Sequence, residues 1–445
     1  MLACLLVAAC ADQAAPPPSP SPSASPVALG PPAYRGVWVD AFHDGIKSAA
    51  QVEKLVADAR RANLNALFVQ VRQRGDAYFN RGLEPRATDI QGPASFDPLA
   101  ALIRLAHAQY PRLEVHAWVN TFFVGSDSRV YREHGEEWGN RTRDGQRGGF
   151  LDPGNPAVAI YTHDVLLDLV GGYELDGLHL DFIRYPDGGD WGYSPAALAR
   201  FRLETGARDV PQPADEAFRQ WRRDQLTAFV RSLYQDLTAR KPALKLSAAL
   251  ICYGRGPVSE SEWRSTAAYT SVFQDWRSWL QEGILDLAVP MNYDSGYSPR
   301  QAGWFALWLE FEKDLQSKRK VLIGLGPFLN YPDDALAQIR QALAPSTHGN
   351  ATLGVVLYSY ASTSVFATED FYLNPDLAGS LPRQPYYDGT QDPAALRARA
   401  RTFNDWFWTQ LSQPDYYRDP ARGWVPTQPV FPEPAATPTL PWKII

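Results

Sequence analysis

Cysteine is nearly absent from this 445-residue chain: Cys4, Cys10 and Cys252 are all it has. The first two lie in a short amino-terminal apolar stretch, which leaves Cys252 alone in the folded region. No disulfide framework is therefore available, and stability has to come from a core. Histidine is scarce too. His43, His116 and His179 stand singly, with no H-x-H or H-E-x-x-H pairing, so neither a metal nor another cofactor is expected. There is no dense Lys/Arg block, and the formal net charge is −6, which argues against a nucleic-acid or polybasic-membrane partner and leaves neutral partners open. No segment reaches the roughly 18 consecutive apolar residues that a spanning helix needs. The G-x-G-x-x-G and G-x-x-x-x-G-K phosphate turns are missing after the first strand, where the chain reads "HDGIKSAA". "GYSPAAL" and "GYSPRQA" lack the G-x-S-x-G elbow of a serine hydrolase and read as helix entries, serine followed by proline at the first helical position.

What is present is apolar and aromatic. The chain is 45% hydrophobic and 12% aromatic with 14 tryptophans, enough for one large domain or two ordinary ones. It opens on "MLACLLVAACADQ" and a Pro/Ser-rich tract, a short apolar targeting stretch followed by a tether that cannot pack. Val7-Ala8-Ala9-Cys10 is similar to a bacterial lipobox, in which Cys10 becomes the lipidated first residue of the mature chain. The expectation is a signal and tether over residues 1–33. A protein of the bacterial cell envelope, attached to a membrane through lipid on Cys10, follows from it; an ordinary secreted protein is the alternative.

From Tyr34 on, short Val/Ile/Leu-rich runs alternate with segments of helical period, the mark of βα units around a parallel sheet. Strands are predicted at 35–42, 65–72, 113–120, 175–182, 244–251, 285–292, 320–327 and 352–359. Apolar stripes at i, i+3, i+4, i+7 run through Val52, Leu55, Val56 and Ala59, through Leu226, Phe229, Val230 and Leu233, and through Trp304, Leu307, Trp308 and Phe311. Eight such units predict an α/β fold, a (β/α)₈ TIM barrel, with inserted loops after strands 3 and 4 (123–156 and 187–215) shaping a cleft. The barrel domain is expected over 34–415. A Pro-rich carboxy-terminal tail, 416–445, is expected to lie extended along the surface.

Barrel active sites lie at the carboxyl ends of the strands. The polar residues found there are Asp40 and His43, Gln70 and Arg72, His116 and Asn120, His179, Asp181 and Arg184, then Asn292, Tyr293 and Asp294, and finally Tyr358 and Tyr360. The stretch "LDGLHLDFIRYP" is the most informative, because a core strand tolerates Asp181 only if it ends at a wet mouth or meets a partner such as Arg184 or His179. A structural Asp181–Arg184 pair at the rim is the competing reading. Cys252, with no histidine partner in view, reads as a small buried residue.

"RGVWVDAF", "LFVQVRQRGDAYF", "HAWVN", "LDPGNP", "DGLHLDFIRYP" and "QDWRSWLQEGILDLAVPMNYD" resemble, in this order, the glycosyl-hydrolase-like family related to family-ten glycosidases. Its members are largely secreted bacterial proteins, many of them lipoproteins, and include a hydrolase of peptide-stripped peptidoglycan glycan strands. The resemblance runs from about Tyr34 to Ser359. It implies a barrel glycoside hydrolase acting on an envelope polysaccharide substrate, with Asp181 as a central catalytic residue. Some members carry a second acid directly after it; here that position is Phe182. Glycoside hydrolysis usually needs two carboxyl groups, and Asp294 is the first choice for the second, with Asp40 and Glu369 behind it. Sugar binding is expected from Asp40, Arg72, His116, Trp118, Asn120, His179, Arg184, Tyr185, Asn292, Tyr293 and Tyr358, with Trp191 a further stacking ring. A carbohydrate-binding barrel lipoprotein without catalysis, and a structural envelope lipoprotein, are the alternatives.

Overall fold

The computed structural model describes residues 33–315, 318–367, 392–419 and 422–443. Along the chain come β1 (Tyr34–Val39), α1 (Ala49–Arg61), β2 (Ala66–Arg72), α2 (Pro98–His107) and β3 (Glu114–Asn120). An insertion follows with α3 (Arg129–Trp138), β4 (Gly139–Arg141) and β5 (Arg147–Leu151). Then come α4 (Pro156–Gly172) and β6 (Gly177–Asp181), a second insertion carrying α5 (Pro195–Thr205), α6 (Glu216–Arg240) and β7 (Lys245–Leu250). Short α7 (Glu260–Trp263) and α8 (Ala267–Thr270) lead to α9 (Trp276–Glu282), β8 (Leu287–Asn292), α10 (Pro299–Asp314), β9 (Lys320–Leu325), α11 (Pro332–Leu343), β10 (Gly354–Tyr358) and α12 (Pro393–Gln410). Strands β1, β2, β3, β6, β7, β8, β9 and β10 pair in parallel in that order, and β10 returns to β1, closing the barrel. All eight expected strands are there, and both insertions follow the strands expected. Helix α12, after the eighth barrel strand, packs beside α1, where Lys54 pairs with Asp405 at 2.6 Å.

Local chemistry sets the helix starts. Asn155 caps α4 by accepting from the Ala157 amide at 3.0 Å, Ser194 caps α5 and Ser298 caps α10, each followed by proline where the missing N–H costs nothing. The stripe expected on α10 is rotated. Phe305, Trp308, Leu309 and Glu312 face inward, while Trp304, Leu307 and Phe311 are half-buried. A buried Glu312 belongs to the core face, and an apolar count passes over it.

Inside the barrel, Trp38, Phe68, Trp118, Val289, Leu322 and Val356 form a sealed aromatic and aliphatic filling. His116 lies stacked on Phe68 at 4.4 Å, and its ring occupies the space above Gly177: a Cβ there would sit 2.1 Å from His116 Nδ1. The glycine in "LDGLHLDF" is thus fixed by the histidine of the neighbouring strand.

The carboxy-terminal segment departs from expectation. It opens with an antiparallel hairpin, β11 (Asp415–Asp419) and β12 (Gly423–Thr427), and then crosses the amino-terminal end of the barrel instead of lying along its surface. Leu440 joins the interior filling, Thr437 donates to Glu114 at 2.6 Å, and Trp442 and Lys443 both reach the buried Asp286, at 2.7 and 3.0 Å. Proline removes donors but leaves side chains free to pack, so a tail without period can still close a barrel floor. Among the described residues, no helix is long and apolar enough to cross a membrane.

Candidate active site at the barrel mouth

Asp181 ends β6 with its side chain on the lumen side, one layer above His179. Its Oδ1 accepts from the Phe182 amide at 2.6 Å and from Arg184 Nη1 at 3.2 Å, and its Oδ2 from Trp118 Nε1 at 3.2 Å. Only 7% of the residue is exposed. Burial pushes its carboxyl above the ordinary carboxylate range, and Arg184 and the three N–H groups oppose that rise without cancelling it. Directly after it the backbone turns sharply: Phe182 lies in the left-handed region at φ 48°, a conformation uncommon for a bulky residue and concentrated at functional sites. Its ring packs on Phe123 and Phe150 and lies under the Arg184 guanidinium at 4.3 Å.

Tyr293 and Tyr358, from the ends of β8 and β10, stack 5.6 Å apart across the mouth. Trp38, Trp118 and Phe328 enclose them: Trp118 meets Tyr358 edge-on at 6.3 Å, and Phe328 meets Tyr293 at 5.9 Å. Burial raises both phenols, and the negative charge of Asp181 adds to the rise in each. Asp40 sits under the rim. Its Oδ1 takes the amides of Phe42 and His43 and the His43 ring, at 2.8 to 3.0 Å, while its buried Oδ2 has no partner. Burial acts against ionisation there, yet the bonds from His43 and Phe42 hold its pKa below the ordinary value.

Other expected ligands are held elsewhere. Arg72 is buried in a bidentate pair with Glu84, 2.6 and 2.7 Å, and also donates to the backbone of Asn120 and Thr121. A register shift between Gln70 and Arg72 turns it out of the lumen. Asn120 is spent on Gln70 and the Gln73 carbonyl. His116 lies deep, bonded to Glu114. His179 is buried beneath the floor, accepting from Trp38 Nε1 at 2.9 Å and facing Ser247 Oγ at 2.9 Å. Burial lowers its pKa well below the usual value, so it is neutral with its proton on Nδ1. Tyr185 is fully buried against Phe273. Asn292 faces outward to the Phe305 carbonyl and Glu312. Tyr360 turns outward to Asp58, and Trp191 is half-buried, donating to the Gly188 carbonyl. Glu369 and Cys10 lie outside the described residues.

Asp294 stands on the outer flank of β8, within the field of Cys252 and Glu312. Burial alone raises it from 3.8 to about 6. The native state therefore binds this proton more tightly than the unfolded chain, and the associated stability is lost as pH rises through about 6. Asp294→Asn should flatten that limb and, above pH 7, be more stable than the wild type by roughly 1–2 kcal/mol. Urea unfolding at pH 4 and pH 7.5 checks this; equal differences at both pH values would refute it.

Two aromatic residues escaped the sequence reading. Phe42, 53% exposed, follows β1, and Tyr253, 49% exposed, follows β7 within reach of the charges of Arg184, Asp187 and Asp181. The signal was an aromatic just past a strand end, "VDAF" and "LICY". Among the described residues, one trio could offer ligand atoms to a metal: Glu310, Asp314 and His348. It lies off the mouth, and its oxygens already bond Ser346, Thr347, His348 and Asn350, which pins that loop to α10.

Residues 33–325 match the family model described as glycosyl hydrolase-like 10. Among curated proteins, the chain is 26% identical over 263 residues to the glycosyl hydrolase YngK of Bacillus subtilis, covering 54% of this chain and 48% of that protein. It is 24% identical over 273 residues to the glycosyl hydrolase DigH of Escherichia coli, covering 56% of this chain and 58% of that one. The match thus spans about half the length of these relatives. Among solved structures, the glycoside hydrolase domain of PgaB (BpsB) from Bordetella bronchiseptica superposes with TM-score 0.54 at 16% identity, covering 78% of this chain and 98% of that domain. The catalytic domain of a Paenibacillus polymyxa beta-amylase does so with TM-score 0.50 at 11% identity, covering 73% and 92%. These two show a shared barrel fold.

Proposed function

The chain belongs to the glycosyl hydrolase-like 10 family, and from that premise we propose that it hydrolyses a bacterial envelope polysaccharide, peptidoglycan glycan strands, with Asp181 as general acid. One observation carries the reading: a nearly buried carboxyl, its pKa raised by that burial, stands at the barrel mouth beside Trp118, Tyr293 and Tyr358. A glycosidic oxygen needs a proton as its bond breaks, and a carboxyl whose burial favours the protonated form is suited to supply it. The aromatic enclosure offers faces for sugar rings. The lipobox-like Cys10 supports an envelope location, with lipid holding the enzyme to a membrane that faces its polymer.

The test is release of soluble oligosaccharides from purified peptidoglycan, intact and amidase-stripped. The protein is expected to release them, and stripped strands should be the better substrate, as the family resemblance implies. No release from either, by protein that is demonstrably folded, would remove peptidoglycan as the substrate. Phe182 favours a second reading, a barrel that binds glycan without cutting it; retention of the polymer by the protein with no product would select that one.

A further inference from the structure

We propose that the second catalytic group is carried by the substrate: the carbonyl oxygen of a 2-acylamino group, held beside Asp181 by the hydroxyls of Tyr293 and Tyr358, attacks the anomeric carbon. The site would then take 2-acylamino-2-deoxy glycans. This rests on the mouth being a glycosidase site and goes beyond it in naming the nucleophile.

Hydrolysis with one carboxyl as acid leaves the nucleophile to be found. Among the described residues, the other acids at the mouth are poorly set for it. Asp40 has Oδ1 taken by three N–H donors and Oδ2 buried, so neither oxygen is open to the mouth. Asp294 lies on the outer flank of its strand. Asp187 is half-exposed beside Arg184, 3.6 Å away. The position directly after Asp181 holds a phenyl ring packed among Phe123 and Phe150.

What does face Asp181 is a pair of phenols. Neither Tyr293 nor Tyr358 hydroxyl bonds to another described residue, and both phenols keep their protons, so both are donors waiting for an acceptor. The walls around them are Trp38, Trp118 and Phe328. Two donors in an apolar box fit a group with an acceptor oxygen and a small apolar end. An acetamido group has that shape and polarity, and its methyl would meet the apolar walls that a sugar hydroxyl would leave without contact.

The step balances. Asp181 gives its proton to the glycosidic oxygen as the C1–O bond breaks, while the amide oxygen forms a new bond to C1, leaving an oxazolinium ion, a free alcohol and the Asp181 carboxylate. Water then attacks C1, the C1–O(amide) bond opens, and the water's proton returns to Asp181. Two displacements retain the anomeric configuration.

The experiment uses the full chain and glycan strands that are chemically de-N-acetylated and then re-acylated with acetyl, fluoroacetyl or trifluoroacetyl groups. Fluorine keeps the shape of the group and weakens its oxygen as a nucleophile. We expect kcat to fall at least ~100-fold from acetyl to trifluoroacetyl, free-amine strands to resist cleavage, and NMR to show retention. Tyr293→Phe and Tyr358→Phe should each lower kcat roughly 10- to 100-fold on acetylated strands. Equal rates across the acyl series, or an inverted product, would overturn the proposal and leave glycoside hydrolysis standing, with Asp40→Asn then naming the carboxylate responsible. No cleavage of any strand would defeat the glycosidase reading itself and this proposal with it.

Discussion

Asp181→Asn is expected to lower oligosaccharide release at least ~1,000-fold, because it removes the proton that the leaving oxygen requires. The loss should not be one of folding. Burial already disfavours the charged form of Asp181, so a neutral amide of the same shape sits there without a new charge-desolvation penalty; its oxygen can still accept from Phe182 N–H and Arg184, and only the bond from Trp118 Nε1 is lost, at a cost of ~1 kcal/mol. Two readouts separate a lost acid from a damaged site. A substrate with a good leaving group, such as a nitrophenyl glycoside, needs little protonation and should be far less affected. The wild-type rate should fall as pH rises through the raised pKa of Asp181, since the acid must be protonated to act, and the variant should lack that limb. A variant that keeps more than about a tenth of wild-type release, or loses both substrates equally, would place Asp181 in a structural pair with Arg184 instead.

Much of the barrel was legible because period and punctuation are local. Alternating runs gave all eight strands, and the Ser-Pro helix entries cap the helices they were read to open. The site was only half legible. Residues at strand ends look alike in sequence whether they point into the barrel or out of it. Parity separates some of them: on β8, Leu287, Val289, Met291 and Tyr293 run inward, so Asn292 and Asp294 fall on the outer side. Parity fails for Arg72, where the shift after Gln70 moves it to the outer row. His116 and His179 have the right parity and the wrong depth, since the layer that seals the floor is decided by which large rings meet, Phe68 and Trp38 here. Arg72 with Glu84, and Glu312 under Asn292, are long-range pairings that no spacing announces.

The same blindness hid the floor of the barrel, and there the second large effect is expected. Ending the chain at Thr427 removes Leu440 from the interior filling and strips the buried Asp286 of both Trp442 and Lys443. Asp286 keeps the Leu246 amide, Tyr234 and, at 4.0 Å, Arg319, so it loses its nearer cation and one N–H donor; Glu114 loses Thr437 but keeps Lys245. A buried leucine is worth ~2–5 kcal/mol on truncation. Leaving a buried carboxylate short of partners adds ~1–3 kcal/mol, so the sum is ~3–8 kcal/mol, comparable to the whole stability of many domains. The truncated chain should be unfolded at 37 °C or lose most of its urea midpoint. Trp442→Phe, which keeps an aromatic ring but loses the N–H and the pyrrole half of the indole, should cost ~1–2 kcal/mol. The barrel couples floor to mouth through one column of rings, from Tyr34 against His116, through Phe68, to His179 and Trp38. Leu440→Ala, mild enough to fold, should therefore lower the urea midpoint while sparing KM, because the close-packed column holds the mouth until the whole barrel opens. A truncated protein with an unchanged midpoint would mean that the tail merely rests on the floor and that the eight strands close the barrel unaided.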